Sequence, residues 1–155
     1  MPDRKNPPAA LLIGMLHLND KDIVEVNRLL KDLSGSSLEL TEEKVGTILN
    51  QPNFRLIMLK DLDSDQVIGI ASLCWHKTLM HPGGIGRVED VVVHKDYRRC
   101  GYGELLMKCA ISTARVLKLE KLELTSKPER VEANRLYTEL GFENKTTNCY
   151  QFDLS

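Results

Sequence analysis

The stretch "VEDVVVHKDYRRCGYGELLMKCA", Val88 to Ala110, decides how this chain is read. An apolar strand runs into an arginine-rich turn with two glycines, and the turn runs straight into a helix. Gly101 and Gly103 let the backbone approach a ligand with no Cβ in the way. A helix that starts there points its unpaired N–H groups and the positive end of its dipole outward. Arg98 and Arg99 add full charge, and a guanidinium holds phosphate through two parallel hydrogen bonds. The segment therefore reads as a diphosphate cradle, with an ordinary turn as the alternative. It is not a P-loop, because no Gly-Lys-Ser/Thr follows, and Leu106 breaks the dinucleotide G-x-G-x-x-G pattern.

Outward from this turn, the apolar pattern alternates between strand and helix periods. Leu11 to Leu18 reads as a strand, and Asn19 or Asp20 caps a helix with Ile23, Val26, Leu29, Leu30 and Leu33 on one face. Thr41 caps a short second helix through Asn50, with Glu42 and Glu43 in its first turn. Phe54 to Lys60 and Val67 to His76 form a hairpin around "DLDSDQ", and Arg87 to Val93 is the next strand. A helix follows from Gly103 to Lys118, then the strand "KLELTS", then a helix carrying Ala133, Leu136, Tyr137 and Leu140 and closed by Gly141. The tail "NCYQFDL" alternates as a last strand. The order β-α-α-β-β-β-α-β-α-β implies one α/β domain with a mixed central sheet covered by helices.

Composition bounds the function. The 155 residues, 42% hydrophobic and 28% charged, fit one soluble domain with a real core. A net charge of −1 argues against a nucleic-acid partner, so any anion site is local. No apolar run reaches the roughly 20 residues of a membrane span. Residues 1–10 read as a flexible, Pro-rich leader before a domain over 11–155. Cys74, Cys100, Cys109 and Cys149 are scattered with no C-x-x-C pair, which speaks against a metal site and for reduced thiols in a cytoplasmic protein.

The strand "EDVVV", the turn with Arg98, Gly101 and Gly103, the helix after it and the later "EANRLYTELGF" together resemble the GNAT superfamily of acetyl-CoA-dependent N-acetyltransferases, whose signature is Q/R-x-x-G-x-G/A. The resemblance runs from about Val67 to Phe142; Arg99 and Tyr102 depart from the glycine and aliphatic residue many members carry there. It implies that the backbone of Arg98, Arg99, Cys100, Gly101, Tyr102 and Gly103 holds the coenzyme A pyrophosphate. It also implies that Val91, Val92 and Val93 run beside the pantetheine arm, with the Val91 N–H facing the reacting carbonyl oxygen, and that Asn134 contacts the coenzyme. No metal is expected.

Acetyl transfer from a thioester to an amine needs a base for the ammonium, donors for the oxyanion and an acid for the departing thiolate. Glu89 and Asp90 enter the cradle on opposite faces of a regularly alternating strand, so one of them faces the reacting centre. The segment resembles that of glucosamine-6-phosphate N-acetyltransferases, which implies a base at Glu89, with Asp90 second; a salt bridge from Glu89 to Arg87 is the plain alternative. Tyr137 shares a helix face with Asn134 and is either a core residue or, as the resemblance implies, the acid at the coenzyme sulfur. His76, His81 and His94 read as loop or structural residues, and Cys100 as a small turn residue.

The acceptor implied is a small amine of the amino-sugar-phosphate kind, with Arg87, Lys127 and Arg130 as nearby positive charge. Thr125 and Ser126 depart from the aspartate and cysteine usual in the glucosamine-6-phosphate enzymes. A protein or peptide acetyltransferase and a non-catalytic acyl-CoA sensor are the alternatives. The resemblance further implies a homodimer formed through the C-terminal strand.

Overall fold

The computed structural model describes residues 9–14, 17–35 and 39–154. Most of the expected leader, residues 1–8, lies outside them, and Ala9 already belongs to a strand. The chain divides into two compact units, Met1–Thr125 and Ser126–Ser155.

The first unit is built on strands β1 (Ala9–Gly14), β2 (Phe54–Asp61), β3 (Val67–His76), β4 (Ile85–Val93) and β5 (Lys121–Glu123), in the order β1-β2-β3-β4-β5. The first three pairings are antiparallel and β4–β5 is parallel, so the sheet is mixed as expected. β1 lies earlier than the apolar run Leu11 to Leu18 implied, because its pairing with β2 runs from Ala9↔Asp61 to Gly14↔Leu56.

Helices α1 (Asp20–Ser34) and α2 (Glu42–Leu49) cover one face of the sheet. Asn19 caps α1 by accepting from the Asp22 N–H at 2.9 Å, and Gly35 ends it at φ 66°, a left-handed conformation that favours glycine. Thr41 caps α2 by accepting from Lys44 N–H. The Asn27 amide of α1 donates to Leu40 O at 2.9 Å and accepts from Leu40 N–H at 2.8 Å, so one side chain fixes the entry to α2. Ile23, Val26 and Leu29 of α1, with Val45 and Leu49 of α2, bury against Leu56, Met58, Ile70 and Val92.

Helix α3 (Tyr102–Val116) packs across β2, β3 and β4. Leu106, Met107 and Ala110 are fully buried. No side chain caps its N-terminus. A missing cap forgoes about 1 kcal/mol, whereas each large buried apolar side chain contributes roughly 1.5–3 kcal/mol. Burial therefore fixes this helix, and its first turn needs no side-chain cap.

The second unit carries α4 (Val131–Glu139). Its end is a Schellman motif: Phe142 N–H reaches Tyr137 O and Gly141 N–H reaches Thr138 O, each at 3.0 Å, with Gly141 at φ 92°. The Tyr137 and Phe142 rings meet edge to face at 6.1 Å, supplying the apolar contact of that motif. The expected strand over "NCYQFDL" does not form. Tyr150, Phe152 and Leu154 alternate as a strand face would, yet they are 88%, 86% and 95% exposed. Alternation describes a face to be buried; without a ladder partner it does not make a strand. No helix among the described residues is long and apolar enough to cross a membrane.

One buried carboxylate ties this scaffold together. Asp61, fully buried at the end of β2, accepts from Asp63 and Ser64 N–H at 2.8 and 3.2 Å and from the Tyr97 hydroxyl at 2.7 Å. Asp61→Ala leaves these donors without their acceptor, so urea unfolding should show a loss of about 2–4 kcal/mol. A loss under about 0.5 kcal/mol, the scale of an ordinary surface change, would show that the cluster does not hold the turn.

Candidate active site

The centre of the site is an irregularity in β4. Across from β3, Ile70 pairs with Val92 and Ser72 pairs with Glu89, so two steps on β3 face three on β4. The extra residue makes a β-bulge, and Asp90 sits in it at φ 55°. Aspartate is among the few non-glycine residues that adopt this conformation with ease. The bulge overturns the expectation that Glu89 and Asp90 face opposite ways. Glu89 shares the face of Ser72 as its cross-strand partner, and the Ser72 hydroxyl donates to Asp90 Oδ2 at 2.8 Å. Both carboxylates therefore lie on one face.

Their surroundings differ. The Arg87 Nε–H donates to Glu89 Oε1 in a close ion pair, the plain alternative left open by the sequence. Arg87 also reaches Thr125 Oγ1 at 3.4 Å. Asp90 is exposed and is held by Ser72, which is itself 5% exposed. Cys74 lines the same patch, its thiol pushed up by burial and then by the charge of Glu89. Beside them the β4–β5 ladder ends at Arg87↔Glu123, and the two strands part. Val92 turns into the core, while Val91 and Val93 are half-buried.

The turn after β4 is held from behind. His94 N–H bonds Ile68 O at 2.7 Å, and its Nδ1 accepts from Asp96 N–H at 3.4 Å, capping a short 3-10 turn, Lys95–Tyr97. Burial, helped by the charge of Arg28, pushes the His94 imidazole down, which favours the neutral ring this acceptor role requires. Tyr97 anchors the turn on Asp61. Arg98 is exposed and donates from Nε to Val93 O at 3.1 Å; Arg99 is exposed in a left-handed conformation at φ 61°. The Cys100 thiol turns back onto Arg98 O at 3.4 Å.

Gly101 opens α3 at φ 82°, and a Cβ placed on it meets nothing within 4 Å. Glycine is needed there for its backbone angle, and the space over it is open to a ligand. Left-handed residues at 99 and 101, followed by a helix N-terminus without a side-chain cap, form the kind of concavity that takes an anion. Tyr102 and Gly103 lie in the first turn of α3; Tyr102 faces inward, buried, its phenol pushed up by that burial.

In the second unit, the Asn134 amide donates to Lys127 O at 2.9 Å and so shapes the turn before α4. Tyr137 is buried and its phenol is pushed up by that burial. The remaining histidines have plain positions. His81 Nδ1 meets Glu120 Oε2 at 2.7 Å while Gly83 N–H donates to Glu120 Oε1 at 2.7 Å, bracing the β3–β4 loop; His76 is exposed at the end of β3. Ser72 and Asp61 were missed by the sequence reading. The only signal for Ser72 was a hydroxyl in an otherwise apolar strand.

Known proteins share this architecture. Glucosamine 6-phosphate N-acetyltransferase of Schizosaccharomyces pombe is 35% identical over 72 residues, which is 46% of this chain and 65% of that protein. This chain thus matches less than two thirds of that relative's length. An aminoglycoside acetyltransferase from an uncultured soil metagenomic sample superposes with a TM-score of 0.81 at 14% identity, covering 95% of this chain and 97% of the other. Glucosamine-6-phosphate N-acetyltransferase of Arabidopsis thaliana superposes with a TM-score of 0.76 at 19% identity, covering 92% and 98%. At such identities these structures speak for the fold alone. The profile of the acetyltransferase (GNAT) family matches residues 24–142, which take in the bulged strand, the glycine turn and α4, and the chain belongs to that family.

Proposed function

We propose that this acetyltransferase-family chain moves an acetyl group from acetyl-CoA to the primary amine of a small acceptor of the amino-sugar-phosphate kind. The observation that carries the reading is the turn from Arg98 to Gly103: left-handed at Arg99 and Gly101, open above Gly101, and leading into a helix without a side-chain cap beside a bulged strand. These features fit a pyrophosphate. Exposed Arg98 and Arg99 supply the matching charge. Val91, Val92 and Val93, past the point where β4 and β5 part, are assigned to the pantetheine arm.

The acidic pair Glu89 and Asp90 takes one proton from the acceptor's ammonium, freeing the lone pair that forms the C–N bond. As the C–S bond breaks, its electron pair stays on sulfur, and the Tyr137 phenol gives that sulfur a proton. The nitrogen's second proton restores the phenol, and the acidic pair releases its proton to solvent. Acceptor and acetyl-CoA thus become amide, free thiol and one proton. Burial of Tyr137 suits this role, since a raised phenol stays protonated until a thiolate needs its proton. Support for the acceptor class comes from the Schizosaccharomyces pombe relative. The fold does not select it, because an aminoglycoside enzyme matches the fold equally well.

Calorimetric titration with acetyl-CoA should show binding, and a thiol-release assay over glucosamine 6-phosphate, aminoglycosides, polyamines and lysine peptides should find turnover with the amino sugar phosphate. Absence of binding would sink the reading. Binding with turnover on lysine peptides alone would move it to a protein acceptor.

Gly101→Val places a β-branched residue at φ 82°, which strains the turn by about 1–2 kcal/mol. It also fills the open space, so the acetyl-CoA Kd should rise more than about tenfold, beyond what a 1.4 kcal/mol change accounts for. An unchanged Kd would place the pyrophosphate elsewhere.

Tyr137→Phe keeps the ring that packs on Phe142, so fold and coenzyme affinity should hold while kcat falls roughly 10²–10⁴-fold. Burial raises the phenol, so the alkaline limb of the wild-type kcat profile should lie above pH 10, the ordinary phenol value. Full kcat in the variant would remove the acid role.

A further inference from the structure

We infer that Asp90 is the member of the acidic pair that takes the acceptor's proton, and that Ser72 is its positioning residue. The inference rests on the acetyl-transfer reading above and assigns roles within it. Three observations carry it.

The first is the difference in what holds the two carboxylates. Glu89 is tied into an ion pair with Arg87, so its charge and one of its oxygens are already engaged. Asp90 has no ion pair among the described residues and remains exposed.

The second is the geometry of the bond. Ser72 is almost fully buried in β3, with its backbone fixed in ladders on both sides. Its hydroxyl lies 2.8 Å from Asp90 Oδ2 and gives that oxygen its hydrogen. The aspartate's other oxygen is left to meet a ligand. A side chain of two rotatable bonds, held at one oxygen by a buried donor, has lost most of its freedom before any acceptor arrives. This is the pre-positioning that proton transfer requires.

The third is the backbone beneath Asp90. Its left-handed conformation, in the extra position of the bulge, turns the carboxylate onto the face of Ser72. A regular strand would turn it away. Bulge and hydroxyl therefore serve the same side chain. In the proposed step, the ammonium proton passes to the free oxygen of Asp90. The freed amine forms the C–N bond, the C–S bond breaks to give the thiol, and Asp90 then releases its proton to water.

The test is a double-mutant cycle on the full chain, with glucosamine 6-phosphate and kanamycin as acceptor probes and acetyl-CoA affinity measured beside it. Asp90→Asn, which suits the same backbone conformation, should lower kcat/KM roughly 10²–10⁴-fold, with acetyl-CoA Kd kept. Ser72→Ala should lower it about tenfold, again with Kd kept, and Ser72→Thr, which retains the hydroxyl, should restore most of the loss. In the Asp90→Asn background, Ser72→Ala should cost less than about twofold, because the hydroxyl acts through the carboxylate.

A tenfold loss from Ser72→Ala that persists in the Asp90→Asn background would show a merely structural serine and overturn the inference. So would a larger loss in Glu89→Gln than in Asp90→Asn. Wild-type protein that binds acetyl-CoA but acetylates neither probe nor any amine of the wider panel would overturn the transfer reading, and this inference with it. Turnover with unaltered kinetics in Ser72→Ala would overturn this inference alone.

Discussion

One extra residue in β4 organises the rest of the site. Between the pairs Ile70↔Val92 and Ser72↔Glu89 the strand holds a residue that the ladder cannot absorb, and Asp90 takes the left-handed conformation that accommodates it. A bulge bends its strand and increases the local twist. Here the irregularity lies between the end of the β5 ladder at Arg87 and the turn that opens α3. It brings two carboxylates to one face, in a strand anchored on the core by Ile85, Val88 and Val92. The arrangement of the two carboxylates is thus set by a backbone event.

What keeps that event in place is burial around it. Behind the glycine turn, the Tyr97 hydroxyl rests on the fully buried Asp61, a charge-assisted hydrogen bond of a kind that contributes about 1.5–3 kcal/mol. Leu106 and Met107 hold α3 down by apolar contact, on a scale well above the capping bond that this helix lacks. Tyr102 anchors the first turn of α3 inward, while Gly103 and Glu104 beside it carry no large apolar group. Rigid support from below is what an anion-binding turn needs, since its N–H groups must be aimed before the ligand arrives.

Much of this was legible in the chain. Helix ends at Asn19 and Thr41 fall where their side chains cap, and at Gly141 where glycine's left-handed backbone allows, and the hairpin of β2 and β3 follows from two apolar runs around a polar turn. The glycine turn was found because its residues carry their own conformational meaning. The bulge was not, because Glu-Asp-Val-Val-Val reads as a regular strand and a register shift belongs to the pair of strands. Ser72 was passed over for the same reason: its partner lies eighteen residues away, and only the shifted register brings them together. The tail fails in the opposite sense. Tyr150, Phe152 and Leu154 carry a strand's alternation without any ladder to use it.

Position 90 now has an unusual standing in sequence space. Its backbone angle admits glycine, asparagine and aspartate readily and resists β-branched and bulky side chains. A carboxylate that reaches Ser72 admits aspartate, and glutamate only with a longer and looser arm. The two filters overlap at a single residue. A substitution that an ordinary strand position would absorb therefore meets two constraints here, the backbone angle and the hydrogen bond to Ser72.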